Sequence, residues 1–285
     1  MRYLLVSSLF VSIAAGVGLV AGQGGPELMG LPTLLWMAGL AMAVNWAAFL
    51  PAAALRSERF YDLTGGVTYL VVVFSAMALA PERGPREWVF ATLVSVWAVR
   101  LSSFLFLRIR RDGKDGRFDT IKTDPARFLM TWTLQGLWVF LTSLAALTVM
   151  TSGSGSTVGW LDVVGWTVWG VGFAIEVIAD RQKAAFRADP ANAGRFIDTG
   201  LWSRSRHPNY FGEITLWFGI AISASSSLAG WQWAALISPV FVALLLTRGS
   251  GVPLLEQRSD ARWGGESAYE SYKRRVPVLV PRLRG

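Results

Sequence analysis

Long apolar runs, separated by short polar connections, are the feature that most constrains the fold of this chain. Runs close to the ~20 apolar residues that cross a bilayer as a helix follow one another through the first 180 residues. They cover residues 3–21, 31–54, 64–80, 88–107, 128–150 and 158–179. Because a lipid core offers backbone groups no water, such runs must form helices. The sequence therefore predicts an all-α, polytopic transmembrane helical bundle.

A further apolar region, residues 211–247, is too long for a single crossing. Ser225, Ser226, Ser227 and Gly230 interrupt it, and such residues mark turns between helices. We therefore predict a tight hairpin of two helices here, which gives about eight spans in total, with seven as the lower number. The composition agrees with a membrane protein, since only 16% of the residues are charged, against ~25% in soluble domains.

The orientation follows from lysine and arginine, which are in excess in short cytoplasmic loops. The basic residues concentrate in the connections 108–127 and 180–210, whereas 22–30 and 151–157 contain none. Alternation through eight spans then places both termini in the cytoplasm, with the two basic connections. The connection 81–87 is the exception, because its two arginines would face outward beside two glutamates.

The residue inventory excludes several kinds of chemistry. The chain has no cysteine, which excludes disulfides, thiol redox chemistry and cysteine-ligated metals. Its single histidine, His207, excludes the multi-histidine di-iron sites of membrane desaturases. No G-x-G-x-x-G or P-loop motif occurs. We expect no metal and no nucleic-acid partner, and read the net charge of +8 mainly as the cytoplasmic excess of basic residues. The chemistry must use carboxylates, tyrosine, arginine, one histidine or an organic cofactor.

The second basic connection, residues 180–210, mixes arginine and lysine with aromatic residues. The aromatic members are Phe186, Phe196, Trp202 and Tyr210. Guanidinium groups chelate phosphates, and flat side chains stack on heterocycles. This combination favours a ligand that carries both a phosphate and a ring.

Carboxylates lie on both sides of this connection. Glu176 and Asp180 are four residues apart, as are Asn209 and Glu213, so each pair shares one face of a helix. Charged groups at a membrane boundary are costly unless they are paired or hydrated, which makes them candidates for function. Structural ion pairs with nearby arginines are the alternative.

His207 lies within a cluster of polar residues before an apolar run. Arg204, Arg206, Asn209 and Tyr210 are its neighbours, and a helix is predicted to begin near Asn209. The N-terminus of a helix favours anions through its dipole and its free N–H groups. We therefore expect His207 to help bind a phosphate-bearing cofactor; the alternative is a loop histidine that only caps the helix.

The stretch from Glu176 to Pro281 carries "EVIADRQKAAFR", "GLWSRSRHPNYFGEITLW", "SGVPLLE" and "YKRRVPVLVP". It resembles the C-terminal domain of the steroid 5α-reductase superfamily, most closely a poorly characterised bacterial branch. Upstream, only "WAVRLSSFLFLRIRRDGKDGRFD" is similar. We therefore expect N-terminal membrane spans over residues 1–60 and a reductase-like membrane domain over 61–285, in a bacterial inner membrane.

The resemblance implies an enzyme that binds NADPH from the cytoplasmic side and transfers hydride to the C=C of an enone lipid, steroid-like or isoprenoid. Its partners would be this hydrophobic substrate and membrane lipids. The cofactor-binding positions of the family fall on Asp180, Arg187, Asn209 and Glu213, and further on Arg204, Arg206, His207, Tyr210, Arg248 and Glu256. Isoprenylcysteine and phospholipid methyltransferases carry related Arg-His-Pro motifs, so a membrane methyltransferase that uses S-adenosylmethionine is the alternative.

The family's substrate carbonyl is bound by an early Gln-Glu pair and a tyrosine on the next helix. The corresponding region here reads "RFYDLTGG", so the resemblance implies catalytic roles for Tyr61 and Asp62, with Trp97 in place of the tyrosine. Aimed donors of this kind stabilise the charge that develops on the carbonyl oxygen. Because these residues differ from those of the family, the resemblance does not imply that the substrate is a steroid. Asp62 could instead pair with Arg59 or cap its helix, and Tyr61 could be an interfacial aromatic residue.

Overall fold

The structure is a computed structural model of the chain. It describes residues 1–113, 115–116, 118–153, 157–249 and 251–282, with the backbone alone at residue 112. Parts of the connections 108–127 and 151–157, residue 250 of "SGVPLLE" and the last three residues therefore lie outside the described residues.

About 76% of the structure is helical and almost none of it is strand, which confirms the predicted all-α class. The α-helices are α1 (Arg2–Ala21), α2 (Thr33–Ala54), α3 (Tyr61–Leu79), α4 (Pro85–Asp112), α5 (Pro125–Ser152), α6 (Trp160–Ala188), α7 (Pro208–Ser225), α8 (Ile237–Arg248), α9 (Val252–Trp263) and α10 (Ser267–Arg275). Short 3-10 helices cover Pro190–Asn192, Gly200–Ser203 and Gly230–Leu236. Two short strands, β1 (Glu27–Leu28) and β2 (Leu31–Pro32), form an antiparallel hairpin in which Leu28 pairs with Leu31.

Seven helical stretches of the described residues are long and apolar enough to cross a membrane. They are Arg2–Ala21, Thr33–Ala54, Tyr61–Leu79, Pro85–Arg111, Pro125–Ser152, Trp160–Ala188 and Gly230–Trp263. This number agrees with the predicted range of seven to eight. The predicted break in the last apolar region is also present, since α7 ends at Ser225 and the next helical turn begins at Gly230.

Local sequence explains where several helices begin and end. The carboxylate of Asp124 accepts hydrogen bonds from the backbone N–H groups of Ala126 and Arg127, and Pro125 occupies the first helical position, so α5 begins there. Gly153 follows α5 with a φ of 64°, a left-handed conformation that glycine adopts without strain. The long helix is thus defined at both ends by residue types suited to those positions.

The chain divides into two compact units. Unit 1 comprises residues 1–162 and 224–238, and unit 2 comprises residues 163–223 and 239–285. Within unit 1, α5 is the central helix: it packs against α1, α2 and α3, and nearly all of its residues from 132 to 151 are buried. The domain boundary expected at residue 60 stays a prediction.

Unit 1 contains a buried ion pair between Arg86 and Asp162. Arg86 Nε lies 2.9 Å from Asp162 Oδ1, and Nη2 lies 2.5 Å from Oδ2. The guanidinium also donates to the carbonyl of Thr157 at 2.9 Å and to the hydroxyl of Ser227. Arg86, which the sequence left in an exceptional loop beside glutamates, is therefore paired with an aspartate 76 residues further along the chain.

Glycines bring α6 and α7 into direct backbone contact within unit 2. Gly165 on α6 faces Gly219 on α7, and Gly172 faces Gly212, so the two helices run antiparallel. A Cβ atom on Gly212 would lie only 2.6 Å from the backbone nitrogen of Glu176 and 2.6 Å from the carbonyl oxygen of Gly172. Only glycine fits at this crossing, which places Glu176 beside the first turns of α7.

Candidate functional site

The segment before α7 is attached to the C-terminal part of α6. The indole nitrogen of Trp202 donates to the carbonyl of Ala179 at 3.0 Å, and the backbone nitrogen of Leu201 donates to Gln182 Oε1 at 2.9 Å. The ammonium of Lys183 lies 4.4 Å from the centroid of the Trp202 ring, a cation–π contact. These contacts hold the start of the Arg-Ser-Arg-His sequence against the last turns of α6.

The tail that follows α10 fixes the backbone around His207. The backbone nitrogens of Arg206 and His207 donate to the carbonyls of Pro277 and Val278, at 2.9 and 3.1 Å. The hydroxyl of Ser205 donates within the same tail, at 2.7 Å from the carbonyl oxygen of Leu279. The conformation of the Arg206-His207 dipeptide is thus set by chain that lies about 70 residues away in sequence.

Glu256 on α9 contacts both side chains of this dipeptide. Its Oε1 lies 2.8 Å from His207 Nε2, and its Oε2 lies 3.2 Å from Arg206 Nη1. On the other side, the imidazole stacks on the ring of Tyr210, with centroids 5.7 Å apart and an interplanar angle of 12°. Four residues expected to bind the cofactor are therefore linked by successive contacts, from Arg206 through Glu256 and His207 to Tyr210.

The pKa of His207 determines which of its ring nitrogens carry a proton. Burial lowers the pKa of His207 by more than its hydrogen bond with Glu256 raises it, so the imidazole is neutral at neutral pH. The Glu256 carboxylate lies between this imidazole, from which it accepts a hydrogen bond, and the Arg206 guanidinium, with which it forms an ion pair. Since a carboxylate only accepts hydrogen bonds, Nε2 carries the imidazole proton and Nδ1 is an acceptor.

Three buried polar atoms beside this group have no hydrogen-bond partner among the residues that the structure describes. They are Arg206 Nε, His207 Nδ1 and Asn209 Oδ1. A buried polar group without a partner costs about 1–3 kcal/mol, and most such groups in folded proteins are bonded. Three of them within four residues of chain fit a site that binds a polar ligand. We call Arg206, His207, Asn209 and Glu256 the His207 cluster.

The other expected cofactor residues differ in how deeply they are buried. Asp180 and Glu213 are buried near the facing ends of α6 and α7. Arg187 and Arg204 are exposed, and Arg248 is exposed at the last residue of α8. No group of three histidine, aspartate or glutamate residues in the described chain could hold a metal ion. The exposed arginines could bind anionic groups of an organic ligand.

The residues expected to be catalytic lie in unit 1. The hydroxyl of Tyr61 donates to the carbonyl of Thr131 at 3.0 Å, and its ring packs against Phe118 and Trp132, with centroids 4.9 and 5.1 Å away. Tyr61 would have to release Thr131 to donate to a substrate. Its catalytic role stays a prediction.

Asp62 and Trp97 also lie in unit 1. Asp62 is partly buried in the first turn of α3. Trp97 is buried and packs edge-on against Tyr69, with ring centroids 5.1 Å apart and an interplanar angle of 85°. The expectation that they replace the family's substrate-binding residues stays a prediction.

The sequence did not reveal Gln182 and Ser205, which hold the segment before α7. The sequence sign of these contacts is Gly200. In the structure this residue has a φ of 61°, and its missing side chain leaves room for the amide of Gln182. A glycine directly before "LW" indicates such a close approach only once the partner helix is known.

Known proteins resemble the chain at the level of family. A family described as a protein of unknown function (DUF1295) matches residues 48–276. An uncharacterized protein of Schizosaccharomyces pombe is 24% identical over 230 residues, 70% of this chain and 64% of the yeast protein. The chain thus matches less than two thirds of that relative's length.

A second relative is a probable O-methyltransferase, ustE, of Ustilaginoidea virens. It is 29% identical over 208 residues, which is 66% of this chain and 70% of the relative. No solved structure matches the chain. Because the family match covers most of the chain, including the connection 180–210 and the His207 cluster, the chain belongs to the DUF1295 family, which is related to the superfamily of steroid 5α-reductases and membrane methyltransferases.

Proposed function

We propose that the chain is a membrane enzyme that binds NADPH at the His207 cluster and reduces the C=C of an enone lipid. The observation that carries this proposal is the set of three partnerless polar atoms, Arg206 Nε, His207 Nδ1 and Asn209 Oδ1. They lie at the N-terminus of α7, next to exposed arginines.

The chemistry of these atoms fits a nicotinamide. Arg206 Nε–H is a donor, whereas His207 Nδ1 and Asn209 Oδ1 are acceptors. A carboxamide has one acceptor oxygen and an NH2 group with two donor hydrogens, so it complements one donor and two acceptors. On this assignment His207 binds the carboxamide of the cofactor. The sequence had suggested that it binds a phosphate, but a neutral imidazole brings no positive charge.

The exposed arginines suit the cofactor's phosphates. Arg187 on α6 and Arg204 belong to the two stretches that the Trp202 and Gln182 contacts hold together. Guanidinium groups bind phosphate by paired, charge-assisted hydrogen bonds, and the N-terminus of α7 adds a favourable dipole. A pyrophosphate or 2′-phosphate would therefore be bound from the cytoplasmic side.

The residues of the cluster then have separate roles. Glu256 holds the imidazole in the Nε2–H form, so that Nδ1 faces the ligand as an acceptor. NADPH would supply hydride for the β-carbon of the enone. The protein must supply a proton for the α-carbon and a donor for the carbonyl oxygen, and Tyr61 and Asp62 are the residues proposed for these tasks.

The proposal includes the membrane and the side on which the termini lie. We place the chain in a bacterial inner membrane with both termini in the cytoplasm, because the basic connections 108–127 and 180–210 then lie on the cytoplasmic side. The substrate is a hydrophobic, lipid-like molecule that enters from the bilayer.

A methyltransferase that uses S-adenosylmethionine is the second candidate. The name of the Ustilaginoidea virens relative, a probable O-methyltransferase, favours it. S-adenosylmethionine has an adenine amino group and a carboxylate but no phosphate. A methyltransferase would therefore use the His207 cluster without needing Arg187 and Arg204.

Thermal unfolding of the detergent-purified protein with NADPH, NADH or S-adenosylmethionine tests these candidates. A ligand that binds only the folded state stabilises it by about 2.7 kcal/mol at a hundredfold excess over its Kd. We expect NADPH to raise the unfolding temperature, the double variant Arg187→Ala/Arg204→Ala to lose most of this rise, and Arg195→Ala, an exposed arginine of the same segment, to keep it. A rise with S-adenosylmethionine alone would favour the methyltransferase, and no rise with any of them would contradict both candidates.

A further inference from the structure

The chain that follows α10 combines exposed valines with exposed arginines. We call residues 277–282 the C-terminal tail, which belongs to unit 2. Every second residue of the tail is exposed, namely Val278, Val280 and Arg282, and the two valines are 39% and 64% exposed. Arg274 and Arg275, which end α10 just before the tail, are exposed as well. The exposed valines are therefore flanked by basic side chains on both sides.

The charge around the tail has a single sign. Residues 273–285 contain five basic residues and neither aspartate nor glutamate. Lys273 is paired with Asp260 of α9, at 2.6 Å. Arg274, Arg275 and Arg282 add three exposed guanidinium groups within nine residues of chain. Clusters of four to eight basic residues next to a membrane helix commonly bind anionic lipids.

Hydrogen bonds hold the tail in place. The backbone nitrogen of Arg282 donates to the carbonyl of Arg204 at 3.1 Å, in addition to the bonds that the Arg206-His207 dipeptide makes to the tail. The hydroxyl of Tyr272, on α10, donates to the carbonyl of Trp202 at 2.8 Å. The exposed side chains of the tail are thus presented from a backbone that is already ordered, which lowers the entropic cost of binding a surface.

The same contacts place the tail near the end of a helix that can cross a membrane. α6 is one of the helices long and apolar enough to do so. Trp202 donates to the carbonyl of Ala179 in the C-terminal part of α6, and Tyr272 in turn donates to Trp202. Two successive hydrogen bonds therefore connect the end of α6 with α10, which directly precedes the tail. Headgroups of the bilayer are expected at this level.

We propose that the C-terminal tail binds anionic phospholipids of the bilayer that holds the protein. Arg274, Arg275 and Arg282 pair with the anionic headgroups, because guanidinium groups form charge-assisted hydrogen bonds with phosphate. Val278 and Val280 enter the boundary between headgroups and acyl chains, where apolar area and electrostatic attraction add to each other. The valines suit any lipid, whereas the arginines select the anionic ones.

A soluble phosphate, such as that of a nucleotide, is the other ligand with the right charge. It would leave Val278 and Val280 exposed to water, so the two valines favour a membrane surface. The proposal goes beyond the hydride transfer proposed above and does not depend on it. A test without nucleotide therefore separates failure of this proposal from failure of the proposed function.

The absence of cysteine from the chain makes a single label on the tail possible. Val280→Cys, labelled with the fluorophore NBD, is reconstituted into nanodiscs of phosphatidylcholine or of an equal mixture with phosphatidylglycerol. We expect brighter, blue-shifted emission in the mixture and a much smaller change in phosphatidylcholine alone. A label on Ser267→Cys, at the exposed start of α10, is the control and should emit alike in both discs.

Removing the arginines tests whether their charge selects the lipid. In the mixed discs, Arg274→Gln/Arg275→Gln/Arg282→Gln should lower the ratio of lipid-bound to free tail at least about tenfold. The matched control, Arg195→Gln/Arg258→Gln/Arg262→Gln, removes the same charge from other exposed positions of unit 2 and should keep the ratio. Because all six side chains are exposed, both variants should unfold at the native temperature.

Three results would overturn the proposal. Equal emission of the tail label in the two kinds of disc would mean that anionic headgroups are not bound. Unchanged emission of the tail label after removal of Arg274, Arg275 and Arg282 would mean that these arginines are not the site. If inorganic pyrophosphate shifted the emission in phosphatidylcholine discs as phosphatidylglycerol does, the arginines would bind a soluble anion instead.

Discussion

Two arginine–carboxylate pairs in this protein have the same chemistry but different surroundings. In unit 1, Arg86 and Asp162 are 2% and 0% exposed, and every nitrogen of the guanidinium has an acceptor. In unit 2, the side chains of Arg206 and Glu256 are 12% and 21% exposed, and Arg206 Nε has no partner in the described chain.

The difference separates a pair that stabilises the fold from a pair for which we propose a role in ligand binding. Every guanidinium nitrogen of Arg86 is bonded within the protein, so none is available to a ligand. The Arg86–Asp162 pair instead holds three stretches of unit 1 together. The pair in unit 2 fixes Arg206 and His207 while leaving one atom of each unmet. Preorganised but unsatisfied groups are what a binding site requires.

Removing one partner of the buried pair should have the largest effect. Asp162→Ala leaves the Arg86 guanidinium buried without its counter-charge, and we expect a loss of about 3–5 kcal/mol of unfolding free energy. Denaturant unfolding in detergent measures it. The double variant Arg86→Met/Asp162→Leu should recover most of the loss, because no uncompensated charge remains; a cost below about 1 kcal/mol for the single variant would show that the pair is not structural.

A matched pair of glycines tests how the His207 cluster is positioned. Gly212→Ala places a methyl group against the backbone of α6, so we expect a cost of about 1–3 kcal/mol or more and weaker NADPH binding. Gly170→Ala, on α6 with nothing within 4 Å of the added carbon, should change neither. Equal effects of the two substitutions would contradict the close crossing of α6 and α7.

Glu256→Gln sharpens the comparison at the ligand site. The amide removes the charge that holds Arg206 and orients His207, so NADPH affinity should fall at least tenfold, about 1.4 kcal/mol, while the fold loses little stability. The control is Asp260→Asn, one turn further along α9, because Asp260 pairs with Lys273 at 2.6 Å on the surface. That substitution should cost less than about 1 kcal/mol and leave binding unchanged.

Acidification should give the smallest effect. The pKa of His207 is lowered by burial, so below the ordinary imidazole pKa of about 6.5 the unfolded chain binds a proton that the folded chain does not. Stability conferred by the neutral imidazole is present above this value and is lost as the pH falls through the folded-state pKa. His207→Gln should flatten the stability profile below about pH 6.5; an equally steep profile in the variant would contradict a buried neutral imidazole.

The sequence predicted what depends on local patterns. Apolar runs of bilayer length located the membrane helices, and the serines after Ser225 located the break before Gly230. Arg206, His207 and Tyr210 could be grouped because they are neighbours in sequence around the start of α7. Glu256, 49 residues from His207, was reached only through the resemblance to a family.

Long-range pairing and hydrogen-bond geometry were beyond sequence reasoning. The partner of Arg86 lies 76 residues away, and no periodicity connects the two positions. Asn45 and Gln135 appear in the sequence only as single polar residues in apolar runs. Which of their atoms form hydrogen bonds depends on how α2, α3 and α5 align. The amide oxygens of both residues have no partner in the described chain, which only the folded structure reveals.

The proposed cofactor site requires the imidazole of His207 to be neutral, protonated at Nε2 and open to a ligand at Nδ1. Because His207 is the only histidine of the chain, nitrogen NMR of the detergent-purified protein labelled with 15N-histidine reports on this one ring. We predict a neutral Nε2–H form at neutral pH and a shift of the Nδ1 signal when NADPH is added. A charged imidazole, or a spectrum that neither NADPH nor S-adenosylmethionine changes, would contradict the assignment of a cofactor site to the His207 cluster.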